Sequence, residues 1–470
     1  MTEAKIKFGT SGWRGIISDD FTFLRVQKAA QAIAKYVKEK EKHIINNGVI
    51  VGYDTRFLSE KFAASAAGVL SANGIKVLLT KRDTPTPVIS YEIIKRKLAG
   101  GINITASHNP SSYNGLKFSP SWGGPALPET TKIIEQYAND PKLELKGEND
   151  RKVLSLDPRE EYLKVIKEKV DLKLIKKAGL SAGVDLLYGT GREYLDLLLK
   201  QNCKKVTVLH NYRDAYFGGG SPEPREERLA ELKAAMKKEK LQLGLATDGD
   251  ADRYGIIDKD GTFITPNEIL SLLMVYLKKS RGWNGCVVRT VATTHFVDAL
   301  AEKYGIPVRE TPVGFKYIGE IMMQEPMIIG GEESGGLTIY KHIPEKDGIL
   351  ACLLVLEMVA AEKKSIREIL KKLYAEVGYI ATGKGSAILS EEKKQKLVKA
   401  LEKKPPVKFG SYPVERLITM DGFKFLLGGK NWVMIRLSGT EPLVRIYAEA
   451  DSDKRLAELV KLAKKYIYSF

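Results

Sequence analysis

Four stretches of this 470-residue chain carry side chains whose types and spacing could do chemistry. The first is Thr105-Ala106-Ser107-His108-Asn109-Pro110. It follows Ile102-Asn103-Ile104, so it reads as a loop leaving the end of a buried strand, where ligands bind in open α/β sheets. Ser107 becomes a nucleophile only if activated, through a neighbouring base such as His108 or by a metal ion. The same six residues would also serve as an ordinary polar turn. The second stretch is Asp248-Gly249-Asp250-Ala251-Asp252-Arg253. In an extended segment its three alternating carboxylates point to one side, where they repel unless a cation gathers them. An all-oxygen donor set suits a hard ion, Mg²⁺ first, and Arg253 beside it could hold a phosphate oxygen. An EF-hand also opens with alternating acids, but its sixth and twelfth positions must be Gly and Glu, and here they are Arg253 and Lys259. An acidic surface turn is the other reading. The third stretch, Gly330-Gly331-Glu332-Glu333-Ser334-Gly335-Gly336, could present carboxylates and a hydroxyl to a polyol, or be a flexible acidic loop. The fourth, Leu437-Ser438-Gly439-Thr440-Glu441-Pro442, is a turn between two apolar runs with Arg436 and Arg445 nearby, and offers N–H groups, hydroxyls and guanidinium to a phosphate. Near the start, three glycines around Arg14 (residues 9–15) could bring backbone and guanidinium close to an anion.

These loops need strands and helices to hold them. Residues 49–53, 57–72 and 75–79 read as strand, helix and strand, with the polar turn Asp54-Thr55-Arg56 after the first. The order recurs at 184–188, 193–200 and 206–209, and again at 286–289, 295–304 and 306–309. Strand, helix, strand at this spacing is the right-handed βαβ unit of a mostly parallel sheet. Each copy adds a further short apolar strand, at 102–104, 241–246 and 327–329, running into one of the first three loops. Three equivalent strand ends with different chemistries are how one shared cleft would be equipped. Thr22 can cap a helix whose Val26, Ala30, Ile33 and Val37 share a face, and residues 348–362 read as a long helix.

Composition narrows the class. A chain this long exceeds one core and should divide into three or four domains. Apolar residues make up 43% and charged residues 28%, as in soluble globular proteins. Lys plus Arg (75) exceed Asp plus Glu (58), a net +17, but the excess is dispersed, without the basic, aromatic-interleaved stripe of a nucleic-acid face. Cys203, Cys286 and Cys352 lie far apart, which fits a reducing compartment and neither a disulfide framework nor a zinc cluster. The start has no apolar signal region, and the longest apolar run, 349–356, is too short to span a bilayer. A cytoplasmic protein is expected, without nucleic-acid or membrane partners, as a monomer or homodimer.

In order and spacing, the Ser107, Asp248 to Arg253, Gly330 to Gly336 and Arg436 to Pro442 motifs resemble the α-D-phosphohexomutases, from Gly9 into the C-terminal segment. The resemblance implies three α/β domains of shared topology plus a smaller α+β C-terminal domain around a central cleft, here at residues 1–148, 149–254, 255–374 and 375–470. It further implies that Ser107 is phosphorylated at rest, with Mg²⁺ held by Asp248, Asp250, Asp252 and a phosphoserine oxygen. Glu332 and Ser334 would bind sugar hydroxyls. Arg436, Ser438, Gly439 and Thr440 would hold the non-reacting phosphate. Arg14, His108 and Lys117 match positions near the reacting phosphate, where Arg253 would neutralise charge, and Lys117 or His108 is the candidate general base. The implied enzyme is an isomerase acting on a hexose phosphate, with glucose 1,6-bisphosphate as intermediate and activator. Residues 311–316, with Gly314 and Lys316, resemble the specificity loop of glucose-type mutases, so glucose phosphates are expected first and mannose phosphates second. Related phosphomannomutase/phosphoglucomutases often carry histidine where this chain has Gly336, which leaves His342 or Lys346 for that role. A metal-dependent phosphatase with Asp248 as nucleophile is the more distant alternative.

Overall fold

The computed structural model describes residues 5–9, 11–437 and 443–470. Its first sheet runs, in spatial order, Trp13–Ile16, Tyr113–Pro120, Gly100–Ile104, Val49–Tyr53, Val77–Thr80, Val153–Leu156. The central strands are parallel and almost wholly buried, which is why Val49–Tyr53 reads as a continuous apolar run with no alternation. Against this sheet lies the helix Phe23–Lys40, whose first turn is capped by the Thr22 side chain and whose Val26, Ala30, Ile33 and Val37 are all buried. The second sheet (Phe263–Ile264, Tyr254–Asp258, Leu243–Thr247, Ser181–Asp185, Lys205–Leu209) and the third (Val308–Thr311, Cys286–Thr290, Met327–Gly331, Leu337–Ile339) repeat the plan. In all three, a parallel strand turns back sharply into an antiparallel one: Gly100–Ile104 into Tyr113–Pro120, Leu243–Thr247 into Tyr254–Asp258, Met327–Gly331 into Leu337–Ile339. The Ser107, Asp248 and Glu332 loops are those three connections, at equivalent places in three copies of one topology.

The sheets depart from the sequence reading at their edges. Val153–Leu156 pairs parallel with Val77–Thr80, and Tyr254–Asp258 and Phe263–Ile264 complete the second sheet, so the first two sheets run past the boundaries expected at 148 and 254. The strand expected over 184–188 is instead Ser181–Asp185. Asp185 stops it, because its carboxylate accepts the Leu187 N–H at 2.9 Å and the chain turns with Leu187 and Tyr188 at positive φ.

The second and third domains share one continuous core, because the helix Gly348–Glu362 is apolar all round and buried between them. Its one buried acid, Glu357, is satisfied by Tyr276, Arg281 and the Asp171 N–H. The C-terminal unit differs in kind: a five-stranded antiparallel sheet in the order Ala381–Ile388, Leu443–Ala450, Trp432–Leu437, Phe423–Leu426, Arg416–Ile418, packed against Asp453–Ile467. It rests on the third domain through Trp432, Met434 and Tyr447, which meet Val291 and Ala292. Among the described residues no helix is long and apolar enough to cross a membrane.

Candidate active site

Ser107 is buried at the tip of its turn in the left-handed region (φ 51°), a conformation a non-glycine residue keeps only when its surroundings enforce it. Arg56 does the enforcing. Its Nη1 donates to the carbonyls of Pro110 (2.7 Å) and Tyr113 (3.0 Å), its Nη2 to those of Ser107 (2.6 Å) and Asn109 (2.7 Å), and its Nε to Asp54 Oδ2 (3.0 Å). Every N–H of the guanidinium therefore has an acceptor. Asp54 in turn accepts from Thr105 Oγ1 (2.6 Å) and Ser59 Oγ (2.8 Å), and Thr105 Oγ1 accepts the Ser107 N–H (2.8 Å). The sequence placed Asp54 and Arg56 in a strand-end turn without giving them a role. Their position at the same end of the first sheet as Ser107 was the available signal.

The Asp248 to Arg253 turn packs directly on Ser107. Ser107 Oγ donates to Asp248 Oδ2 at 3.1 Å, and a Cβ on Gly249 would stand 2.8 Å from the Ser107 carbonyl, so the approach needs glycine there. Asp248, Asp250 and Asp252 are buried, with one oxygen of each within 4.8 Å of the others. Burial and the two neighbouring carboxylates push Asp248 well above the usual carboxylate range. Burial works the same way on Asp252, but Lys117 and Lys346 hold it below that range. Asp250 Oδ1 and Asp252 Oδ1 are buried with no hydrogen-bond partner. Like charges gathered with orphaned acceptors fit a hard divalent cation.

Cations from other segments surround the cluster. Lys117 Nζ bridges Asp250 Oδ2 (2.6 Å) and Asp252 Oδ2 (3.0 Å); burial alone would lower its pKa, but the two carboxylates raise it, so it stands there as an ammonium. The Thr86 hydroxyl also donates to Asp250 Oδ2, at 2.6 Å. Lys346 Nζ lies 3.2 Å from Asp252 Oδ2 and 3.1 Å from Glu345 Oε1 and keeps its proton for the same reason. Arg253 donates its N–H to Asp248 Oδ1 (3.0 Å) and Nη1 to Glu223 Oε1 (3.1 Å). Arg14 Nη1 donates to Asn109 Oδ1 at 2.5 Å, and burial, with Arg253 close by, brings its pKa down to about 10. His108 Nδ1 lies 3.5 Å from Ser107 Oγ, and burial among Arg253, Arg14 and Lys117 keeps the imidazole neutral.

The residues of the 330–336 loop and its neighbours are assembled as follows. Glu332 Oε1 accepts the Gly314 N–H (3.0 Å) and Oε2 the Ser334 hydroxyl (3.3 Å); burial, aided by Glu333, lifts its pKa to about 7. Gly336 has a specific reason to be glycine: a Cβ there would fall 2.1 Å from Lys346 Cδ. The lysine stem fills the space a histidine side chain would need, and its ammonium reaches Asp252. His342 is not in that position; its Nε2 is paired with Asp347 Oδ2 at 2.7 Å, the acid that caps Gly348–Glu362. Lys316 lies over the Tyr317 ring, half-buried, and burial lowers its pKa although Asp421 and Glu129 act to raise it. Arg436 donates Nε to Asp421 Oδ2 at 3.0 Å, and Ser438, Gly439 and Thr440 lie outside the described residues. Asp421, Lys384, Glu223 and Thr86 reach the site from segments whose sequence carried no motif.

Four family models match consecutive stretches of the chain: phosphoglucomutase/phosphomannomutase alpha/beta/alpha domain I over residues 5–144, domain II over 160–261, domain III over 265–377, and the C-terminal domain over 387–464. A phosphoglucomutase/phosphomannomutase of Thermococcus kodakarensis is 30% identical over 465 residues, covering 98% of each chain. A probable phosphoglucosamine mutase of Methanosphaera stadtmanae is 30% identical over 462 residues, again with 98% of each covered. Among solved structures, a putative phosphomannomutase from Thermus thermophilus superposes with a TM-score of 0.86 at 34% identity, over 99% of this chain and all of that one.

Proposed function

Because the chain belongs to the phosphoglucomutase/phosphomannomutase family of intramolecular phosphotransferases, we propose that it interconverts glucose 1-phosphate and glucose 6-phosphate through a phosphorylated Ser107 and glucose 1,6-bisphosphate, with mannose phosphates as second substrates. The observation that carries this reading is Ser107 Oγ at 3.1 Å from Asp248, within a buried three-carboxylate cluster that has two orphaned oxygens.

Asp248, Asp250, Asp252 and an oxygen of the phosphorylated Ser107 would hold Mg²⁺. When bound, the ion supplies charge neutralisation at the phosphoryl oxygens. The chain's own residues do the rest. Arg253 and Arg14 offset the negative charge of the transferring group, and Lys117 and Lys346 balance the carboxylates. The substrate's free hydroxyl oxygen attacks the phosphorus on Ser107, the Oγ–P bond breaks, and the hydroxyl proton passes to a base. His108 is our base by position, 3.5 Å from Ser107 Oγ, whereas the Lys117 ammonium is committed to two carboxylates. The resulting bisphosphate turns over within the cleft and returns its other phosphoryl group to Ser107 by the reverse step. Glu332 and Ser334 receive the sugar hydroxyls, Gly314 and Lys316 frame the ring, and Arg436 with Ser438, Gly439 and Thr440 holds the phosphate that is not reacting. Positioning of this kind supplies most of the catalysis in phosphoryl transfer.

The test is intact mass with peptide mapping after incubation with glucose 1,6-bisphosphate and Mg²⁺. One phosphoryl group on Ser107, discharged by glucose 6-phosphate, is the expected result. A label on Asp248, or none, rejects the mutase cycle in favour of a phosphatase. Comparing kcat/KM for the 1-phosphates of glucose, mannose and glucosamine then fixes the sugar, and a glucosamine preference would overturn the specificity.

A further inference from the structure

One carboxylate oxygen joins the phosphate clamp of the C-terminal domain to the sugar-facing loop of the third domain. Asp421 lies in the turn between Arg416–Ile418 and Phe423–Leu426. Its Oδ2 accepts from Arg436 Nε at 3.0 Å, within its own domain, and from the Val313 N–H at 3.0 Å, across the domain boundary. The next residue, Gly314, donates its N–H to Glu332 Oε1 at 3.0 Å, and Ser334 Oγ donates to Glu332 Oε2. Arg436 is thus connected to Glu332 through Asp421 and the backbone of one residue, Val313. Gly422 is what lets the turn come this close: it sits at φ 106°, and a Cβ there would meet the Ile435 carbonyl at 2.8 Å.

Other polar ties between the two domains bypass Arg436 and the 311–316 loop, although one of them, from Lys384, reaches the backbone of Glu333 beside Glu332. Lys424 Nζ donates to the Val291 carbonyl (2.8 Å), Glu449 Oε2 accepts the His295 N–H (3.0 Å), and Lys384 Nζ donates to the Glu333 carbonyl (2.5 Å). The first two sit at the apolar contact made by Trp432 and can hold the domains together whatever Asp421 does. Among the described residues Asp421 alone touches both the residue offered to a phosphate and the backbone of the 311–316 loop.

Resting on the reading given under Proposed function, we propose that Asp421 is a positioning residue that makes phosphate capture by Arg436 and ordering of the 311–316 loop one event. A carboxylate at Nε fixes the plane of the guanidinium before phosphate arrives. The same oxygen fixes Val313, and through Gly314 the rotamer of Glu332, so the sugar face is set when the phosphate end is set. Reciprocity follows: whatever strengthens one contact favours the other. The ligand class is a hexose bearing a phosphate remote from its reacting end. A sugar without that phosphate would find the loop less ordered.

The experiment is peptide-resolved hydrogen exchange on the full-length wild type, Asp421→Ala and Asp421→Asn, each without ligand and with saturating glucose 6-phosphate. Without ligand, Asp421→Ala should exchange the 311–318 segment about tenfold faster, which is the cost of one lost hydrogen bond. Asp421→Asn, which retains an acceptor oxygen for Val313, should recover most of that protection. With glucose 6-phosphate, wild type should gain protection in both Trp432–Leu437 and 311–318, and Asp421→Ala only in the former. In steady state the alanine variant should raise KM more than it lowers kcat, and bring kcat/KM for glucose and mannose 1-phosphates closer together. Unchanged exchange of 311–318 in the ligand-free alanine variant overturns the inference, whatever the enzyme turns over. Equal ligand protection of 311–318 in wild type and alanine variant overturns the coupling. A normal ligand-free result with no hexose phosphate turned over by wild type counts against the proposed function and leaves the Asp421 bridge standing.

Discussion

Replacing Arg56 with lysine should cripple phosphoryl loading of Ser107 while leaving the fold intact. The guanidinium has four carbonyl acceptors in the Ser107 loop and a carboxylate behind it, and the side chain is fully buried. A lysine keeps the charge but has three donors and no planar fork, so if one serves Asp54 at most two carbonyls remain paired. Bonds from a charged donor are worth about 1.5–3 kcal/mol each, so two lost bonds cost on the order of 3 kcal/mol after water and relaxation recover part of them. The flanking strands Gly100–Ile104 and Tyr113–Pro120 are held by their own ladder, so the loss falls on the turn and on the left-handed Ser107. A penalty of about 3 kcal/mol on the reactive conformer is a rate loss of roughly a hundredfold. The assay is rapid-quench loading from glucose 1,6-bisphosphate read by intact mass, with urea unfolding alongside. Arg56→Ala, which abandons Asp54 in a buried site, should lose about 3–5 kcal/mol of stability as well. A lysine variant that loads Ser107 within about threefold of wild type, with an unchanged unfolding midpoint, would show that the clamp is not what holds the serine.

Three other outcomes are expected. Gly249→Ala puts a methyl 2.8 Å from the Ser107 carbonyl, which should part the two loops and slow loading by roughly a hundredfold with little change in circular dichroism. Glu332 has its pKa raised from 4.5 to about 7, so the stability it contributes is full below pH 4.5 and is lost as pH rises through about 7. The difference in unfolding free energy between wild type and Glu332→Gln should therefore drift against wild type across that window, by on the order of 3 kcal/mol at most, and pH-dependent urea unfolding will read it. Mg²⁺ at a hundred times its Kd should stabilise wild type by about 2.7 kcal/mol in thermal unfolding, and Asp250→Asn should lose most of that gain.

Local patterns determined much of this protein from sequence. A cap and its stripe (Thr22 with Val26, Ala30, Ile33 and Val37), the helix Gly348–Glu362, three repeats of one topology and three acids alternating on one strand end are short-range features, legible because each is set by residues close in the chain. Edge strands were less legible. Val153–Leu156 exists because the first sheet offers it a free edge, and Ser181–Asp185 stops where a side chain competes for the backbone. What neutralises and positions the chemistry was decided by tertiary structure alone. Lys117 meets Asp250 and Asp252 across 133 and 135 residues of sequence, and Arg56 meets the Ser107 carbonyl across 51. Gly336 looks like a missing histidine until Lys346 is seen to occupy its space, and Asp421 looks like an ordinary turn acid until its one oxygen is found between two domains. A residue's type shows which bonds it can make, but charges and donors act through distance, and distance between remote segments is set only when the sheets are packed.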